Sequence, residues 1–170
     1  DDGAEILFFV AARGHHSDIG GIAPGSMTPK ATRIEEEGIY IDPFKLVEAD
    51  RFREEAVLTL LTQGPYPARD PAQNIADLKA QAAANAKGVE ELRKMVARYG
   101  LDLVQAYMGH VQDNAAASIA RVIDQLKPAN FAGETDTGAR IKFAIRVDRA
   151  RGKAIVDFTG TSEQQPDTFN

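Results

Sequence analysis

Two adjacent histidines and an aspartate are the residues of this sequence most able to do chemistry. His15, His16 and Asp18 follow an apolar run at residues 6–12 and precede a glycine-rich segment at residues 20–27. Imidazole nitrogens and carboxylate oxygens bind Zn, Mn or Fe, and imidazole also acts as a general acid or base near neutral pH. Glycine admits positive φ and proline fixes φ. Residues 13–30 are therefore predicted to form a loop that presents these side chains.

The spacing of the histidines limits what they can do together. Neighbouring side chains of an extended segment diverge, so at most one of His15 and His16 is expected to bind a given metal ion. A metal centre also needs at least three converging ligands. The residues alone leave three readings open: a metal ligand, an acid–base group, or histidines that only bond loop carbonyls.

The glycines of the same loop could place several backbone N–H groups around an anion. Gly20-Gly21 and Gly25-Ser26 suit such a nest, although a tight loop is the preferred explanation for the glycines alone. No Gly-Lys-Ser/Thr signature follows and no G-x-G-x-x-G is present, so nothing indicates that this segment binds ATP itself.

Composition excludes several classes of protein. The 170 residues carry a net charge of −5, which argues against non-specific binding of nucleic acid. No apolar run approaches the roughly 20 residues that span a bilayer, so no membrane segment is expected. The sequence has no cysteine, which is compatible with a reducing cytoplasm and leaves no thiolate ligand. Without an initiator Met, and ending soon after an apolar run, the sequence reads as an internal piece of a longer chain.

Strand patterns lie near both ends of the sequence. Residues 4–12 are almost continuously apolar and are predicted to be a strand buried on both faces. Residues 39–46 alternate enough for an edge strand, with Pro43 tolerated only there. Two further strands are predicted at 140–147 and 153–158, joined as a hairpin.

The middle of the sequence predicts helices. Residues 51–62 form the first, with Phe52, Ala56 and Leu60 inward. Asp70-Pro71 is an N-cap followed by proline at the first helical position, and Gly100 is a typical residue after a helix end. A second long helix is expected from Asp102 until shortly before Pro128. The short link makes the two long helices an antiparallel hairpin, with apolar stripes at Ile75, Leu78, Ala82, Val89, Leu92 and Val96 and at Val104, Met108, Val111, Ala115, Ile119, Val122 and Leu126.

Helices and strands are therefore segregated along the sequence, and the predicted fold class is α+β. The predicted segments are 1–50, which holds the first strand and the site loop, 51–127, which is helical, and 128–170, which holds the β-hairpin. All three are expected to be parts of one larger domain.

Several motifs together resemble those of a known family. They are Arg13-Gly14-His15-His16-Ser17-Asp18-Ile19-Gly20-Gly21, Pro24-Gly25-Ser26-Met27, Ile34-Glu35-Glu36-Glu37-Gly38, Asn85 with Lys87-Gly88, Arg98-Tyr99-Gly100 and Val156-Asp157-Phe158-Thr159-Gly160-Thr161-Ser162. Their order and spacing resemble the hydantoinase B/oxoprolinase family. This is the HyuB-type component of ATP-dependent N-methylhydantoinase and 5-oxoprolinase, and it is similar to the large subunit of acetone carboxylases.

The resemblance implies roles for the loop residues. His15 would be a ligand of a divalent metal ion (Zn, Mn or Fe), with other ligands on an upstream H-x-x-D motif that this sequence lacks. His16 and Asp18 would be catalytic neighbours. Gly20 and Gly21 would let substrate or phosphate approach.

The resemblance also implies the reaction and the partner. A HyuA-type ATP-binding subunit or domain would phosphorylate an amide oxygen of a small cyclic amide, and the HyuB-type subunit would complete attack on the activated carbon. A metal-bound water would be a suitable nucleophile. Two alternatives remain: a related ATP-dependent ketone carboxylase, and a non-catalytic assembly arm of a hetero-oligomer built on residues 71–127. The piece alone is expected to be inactive.

Overall fold

The computed structural model describes residues 5–25 and 27–168. The chain divides into two compact units, residues 1–94 with 166–170, and residues 95–165. The helices are α1 (Ile34–Glu37), α2 (Glu54–Thr62), α3 (Pro71–Tyr99) and α4 (Leu101–Gln125), and the strands are β1 (Val47–Glu48), β2 (Arg51–Phe52), β3 (Ala129–Glu134), β4 (Arg140–Asp148) and β5 (Lys153–Asp157). This confirms the α+β class, whereas the three-segment division of the chain stays a prediction.

The core of the first unit is built around α2. Val57 and Leu61 are 2% and 0% exposed and pack with Ala68 and Ile75. The helix begins at Glu54 rather than at residue 51, and its most buried residues are Val57 and Leu61 rather than the predicted Ala56 and Leu60. Phe52 does pack against this core, as predicted, but from outside the helix. Residues 51–52 are instead held in β2, which pairs with β1 across a turn. Burial of each such aliphatic side chain contributes about 1.5–3 kcal/mol.

The start and end of α3 confirm the local signals in the sequence. The Asp70 carboxylate accepts a hydrogen bond from the N–H of Gln73 at 3.1 Å, and Pro71 is the first helical residue. At the other end, Gly100 has φ +83° and donates its N–H to the carbonyl of Val96 at 2.8 Å. α4 begins at Leu101, one residue before the predicted start.

The predicted burial of the α4 stripe is not what the structure shows. Val104 is buried, but Val111, Ile119 and Val122 are 66%, 60% and 56% exposed. An amphipathic pattern specifies which side of a helix is apolar, but not what covers that side. That the two long helices run antiparallel stays a prediction.

The predicted strand at 4–12 does not form within the described residues 5–12, and residue 4 lies outside them. Ile6 and Phe9 are 72% and 88% exposed rather than buried. The edge strand predicted at 39–46 is also absent. A strand needs a ladder partner, and neither segment pairs with a strand in the described part of the chain.

The second unit carries an antiparallel sheet of strand order β3–β4–β5. β4 and β5 confirm the predicted hairpin, with a short 3₁₀ turn at Arg149–Arg151 that is capped by the Asp148 side chain. β3 was not predicted. None of the described helices combines the length and apolarity needed to cross a bilayer.

Candidate functional site

The carboxylate of Asp18 organises the glycine-rich loop. Its Oδ1 accepts the N–H groups of Gly20 at 3.0 Å and Arg69 at 3.3 Å. Its Oδ2 accepts the N–H of Gly25 at 3.2 Å and Nη1 of Arg69 at 2.8 Å. The N–H groups of Gly20 and Gly25 thus face a carboxylate of the chain itself. That the glycines bind an external anion stays a prediction.

These bonds keep Asp18 ionised. Burial raises the pKa of its carboxyl, but hydrogen bonds from the backbone of Gly20, Gly25 and Arg69, and from the Arg69 guanidinium, together hold the pKa below its ordinary value. Each N–H donor favours the charged form that accepts it. A carboxylate with both oxygens engaged is poorly suited to take a proton from a substrate.

Arg69 closes the loop from the other side. Its Nη1 donates to the carbonyl of Gly20 at 3.3 Å, and its Nη2 donates to that of Gly21 at 2.8 Å. A planar guanidinium can reach a carboxylate and two carbonyls together, which an ammonium group cannot match. Sequence reasoning missed Arg69 because it lies 51 positions from Asp18, so no local pattern joins them.

Gly20 and Gly21 are required because other backbone segments pass too close to them for a side chain. Gly20 and Gly21 have φ +91° and +89°. A Cβ at Gly20 would lie 2.2 Å from the carbonyl oxygen of Tyr66, and one at Gly21 would lie 2.5 Å from that of Glu37. Both residues are buried and the N–H of Gly21 donates to Tyr66, so contact with substrate through these glycines stays a prediction.

His16 is anchored to the first turn of α3. Its Nδ1 lies 3.2 Å from Nδ2 of Asn74 and 3.6 Å from Oδ2 of Asp77. Asn74 is only 2% exposed, and its Nδ2 also donates to the carbonyl of Asp18 at 2.8 Å. Both partners were missed from sequence. The available signal was the polar Asn74 one turn before the inward-facing Leu78.

His15 is exposed, in contrast to its half-buried neighbour His16. The two imidazoles therefore have different surroundings, as their adjacency predicted. Among residues 5–25 and 27–168, no three His, Cys, Asp or Glu side chains converge as a metal centre would need. The described residues alone thus do not fit a complete metal site, and His15 offers at most one ligand.

One face of α3 positions the segment that leads into the loop. A Cβ at Gly88 would lie 2.7 Å from Cγ1 of Val10, and one at Gly14 would lie 2.5 Å from the amide of Gln81. His16 in turn contacts Asn74. Residues 10–16 therefore run antiparallel to α3. The helix therefore acts as the rigid support against which residues 10–16 lie and to which His16 is bonded.

The fold and the loop define an α+β protein that presents imidazoles from a glycine-rich loop fixed against a long helix. The chain belongs to the hydantoinase B/oxoprolinase family, whose model matches residues 1–170.

Similar proteins include enzymes with named activities. The chain is 42% identical to a 5-oxoprolinase of Dictyostelium discoideum over 92% of its length, and 36% identical to 5-oxoprolinase 1 of Arabidopsis thaliana over 99%. The crystal structure of the ATP-dependent caprolactamase from Pseudomonas jessenii matches with a TM-score of 0.61 at 29% identity, over 84% of this chain and 25% of that one. This chain spans only 13% and 15% of the lengths of the two 5-oxoprolinases.

Proposed function

We propose that this chain is part of a HyuB-type subunit of an ATP-dependent cyclic-amide hydrolase. The observation that carries the proposal is the family match over residues 1–170, which includes the whole histidine loop. A 5-oxoproline ring is the first substrate to test, because the 5-oxoprolinase relative is 42% identical while the caprolactamase β subunit is 32% identical.

The reaction needs activation because an amide carbonyl is a poor electrophile. In this proposal ATP, bound by a HyuA-type subunit or domain, supplies a phosphoryl group to the amide oxygen and leaves as ADP. A first water then adds to the activated carbon and the ring C–N bond breaks, which releases the ring nitrogen as an amine and leaves an acyl phosphate. A second water hydrolyses the acyl phosphate, and phosphate departs. The products are the ring-opened amino acid, ADP and phosphate. A cytoplasmic location is part of the same proposal, since ATP is available there.

In this proposal the loop residues have different roles, which we assign from the contacts that each one makes. His16 is the group we assign to the reacting substrate, because the first turn of α3 fixes its ring. Asp18 acts indirectly in this proposal, by holding the loop through Gly20, Gly25 and Arg69. Gly20 and Gly21 allow the tight backbone path beside which substrate would bind.

A divalent metal ion is a separate part of the proposal. His15 would supply one ligand, and the others would come from outside the described residues. Zn, Mn or Fe would suit an imidazole ligand, and the ion would polarise substrate or activate water. Elemental analysis of the full-length parent and its His15→Ala variant tests this part. A stoichiometric metal that is retained in the variant would remove His15 from the ligand set.

Activity is tested with the full-length parent and its partner subunit. The complex is incubated with ATP and 5-oxoproline, hydantoin or caprolactam, and ring-opened product and ADP are quantified by mass spectrometry. We expect equimolar ring-opened product and ADP, and a large loss of both in His16→Gln. Omission of ATP is the control.

Two other outcomes would overturn the proposal. A carboxylated product that depends on bicarbonate, without ring opening, would identify a ketone carboxylase. An assembled complex that turns over no cyclic amide or ketone would indicate that this part of the chain is an assembly arm.

A further inference from the structure

The side chain of Asn74 constrains which nitrogen of His16 carries the proton. Asn74 is 2% exposed, and its Nδ2 lies 2.8 Å from the carbonyl oxygen of Asp18 and 3.2 Å from Nδ1 of His16. The carbonyl oxygen can only accept a hydrogen bond, so the group that faces it must be the NH₂ of the amide.

The alternative orientation of the amide is disfavoured. Turning it over would place Oδ1 against the carbonyl oxygen of Asp18, so two acceptors would face each other within a buried site. In the observed orientation Oδ1 of Asn74 has no hydrogen-bond partner among residues 5–25 and 27–168. The contacts of Nδ2 with Asp18 and His16 therefore fix the orientation of the Asn74 amide.

The orientation of Asn74 determines the role of Nδ1 in His16. One N–H of Asn74 is directed to Asp18, and the other faces Nδ1. A nitrogen that receives an N–H donor must present a lone pair, and in a neutral imidazole the proton then resides on Nε2. Asp77 lies farther from the same nitrogen, at 3.6 Å.

We propose that Asn74 is a positioning residue that holds His16 as the Nε2–H tautomer, so that His16 donates a hydrogen bond to the amide oxygen of the substrate. Nε2 lies on the ring edge opposite Nδ1, and the contacts of the ring with Asn74 and Asp77 are both made through Nδ1. A neutral imidazole with a proton on Nε2 cannot bind a metal through that atom. His15 and His16 thus have separate tasks, and the inference rests on the cyclic-amide function proposed above.

The tautomer is read directly by nitrogen-15 NMR. The full-length parent is labelled with ¹³C,¹⁵N-histidine and studied as a sedimented solid, and the His16 signals are assigned by their loss in His16→Gln. In the unaltered protein we expect an unprotonated Nδ1 and a protonated Nε2. A protonated Nδ1 would overturn the proposal without reference to any Asn74 variant.

The consequence for catalysis is tested with Asn74→Asp. This nearly isosteric change replaces the donor by a carboxylate, which draws the proton to Nδ1 and leaves Nε2 as an acceptor. We expect the tautomer to switch and kcat for ring opening to fall about 100-fold, the usual effect of losing one donor to a reacting oxygen. Asn85→Asp is the matched control, since Asn85 lies on the same helix and also has a buried Oδ1 without a partner in the described part of the chain.

The outcomes separate this inference from the proposed function. A switched tautomer with unchanged kcat would overturn the donor role of His16. If Asn74→Asp fails to fold, Asn74→Ala replaces it, and an unchanged Nε2–H population in that variant would overturn the role of Asn74. An unaltered parent complex that opens no ring would reject the proposed function, while the NMR spectrum would still decide the tautomer.

Discussion

At the scale of single residues, the site depends on a carboxylate that faces its own backbone. Asp18 accepts hydrogen bonds from Gly20, Gly25 and Arg69, and Arg69 in turn holds the carbonyls of Gly20 and Gly21. The shape of the loop, and hence the direction of the neighbouring histidines, follows from this ionic and hydrogen-bonded group. The chemistry that we propose for His16 would therefore depend on residues that need not touch the substrate.

Replacement of Arg69 tests this dependence. Arg69→Ala removes three side-chain hydrogen bonds from the loop. Because the Arg69 side chain is 39% exposed, we expect only a moderate effect: the loop should lose about 1–2 kcal/mol of stabilising free energy. Hydrogen exchange of peptide 13–30 in the full-length parent, followed by mass spectrometry, should show faster exchange.

Arg146→Ala is the matched control for that variant. It breaks a similar pair, Nη2 of Arg146 with Oδ2 of Asp157 at 2.7 Å, on the sheet of the second unit. Peptide 13–30 should exchange at its normal rate in this control. Equal exchange of that peptide in Arg69→Ala and in the unaltered protein would refute the role of Arg69.

Acid should loosen the same loop. The folded-state pKa of Asp18 lies below its ordinary value of 3.8, so the stabilisation is fully present above that value. It is lost as pH falls through the lower folded pKa, when the carboxylate gains a proton. We expect protection of peptide 13–30 to fall in this acidic range, measured by hydrogen exchange corrected for the intrinsic effect of pH. Asp18→Asn should show weaker protection at neutral pH and little further change, and a parallel fall in both proteins would contradict the assignment.

At the scale of elements, local signals predicted the long helices well. Asp70-Pro71 and Gly100 mark the bounds of α3 through interactions within a few residues. The strand expected at 4–12 failed because its pairing depends on a partner that local sequence does not identify. The links from Asp18 to Arg69 and from His16 to Asn74 were missed for the same reason, since 51 and 58 positions separate the partners.

Gly109 and Gly88 allow the effect of helix propensity on stability to be distinguished from the effect of side-chain packing. Gly109 lies in α4 with no atom within 4 Å of an added Cβ, whereas a Cβ at Gly88 in α3 would lie 2.7 Å from Val10. Gly109→Ala should raise the free energy of unfolding by up to about 1 kcal/mol, because alanine favours the helix. Gly88→Ala should raise the free energy of unfolding by less, or lower it, because the added methyl group forces Val10 to move.

Chemical denaturation of the two variants in the full-length parent measures this difference. Hydrogen exchange of peptide 5–16 then shows whether the loss is local. An equal gain in both variants would mean that the segment does not rest on α3 through Val10.

At the scale of the whole molecule, the exposed apolar surface is large for a chain that folds around a small core. Ile6, Phe9 and Val111 are 72%, 88% and 66% exposed, while only four of the described residues form the buried core cluster of the first unit. Apolar patches of this kind are typical of surfaces that another part of a protein covers. This chain also spans only 13% and 15% of the two 5-oxoprolinases compared above.

The isolated 170-residue chain should therefore differ from the same residues within the full-length parent. Alone, it should bind an apolar fluorescent dye strongly and show fast hydrogen exchange at residues 5–12, because these residues have no ladder partner there. Within the parent, dye binding should be weak and residues 5–12 protected. The isolated chain should also catalyse no ATP-dependent ring opening, since the proposed reaction needs an ATP-binding partner subunit or domain. Turnover by the isolated chain, or equal exchange at residues 5–12 in both proteins, would show that the described residues form a self-sufficient unit.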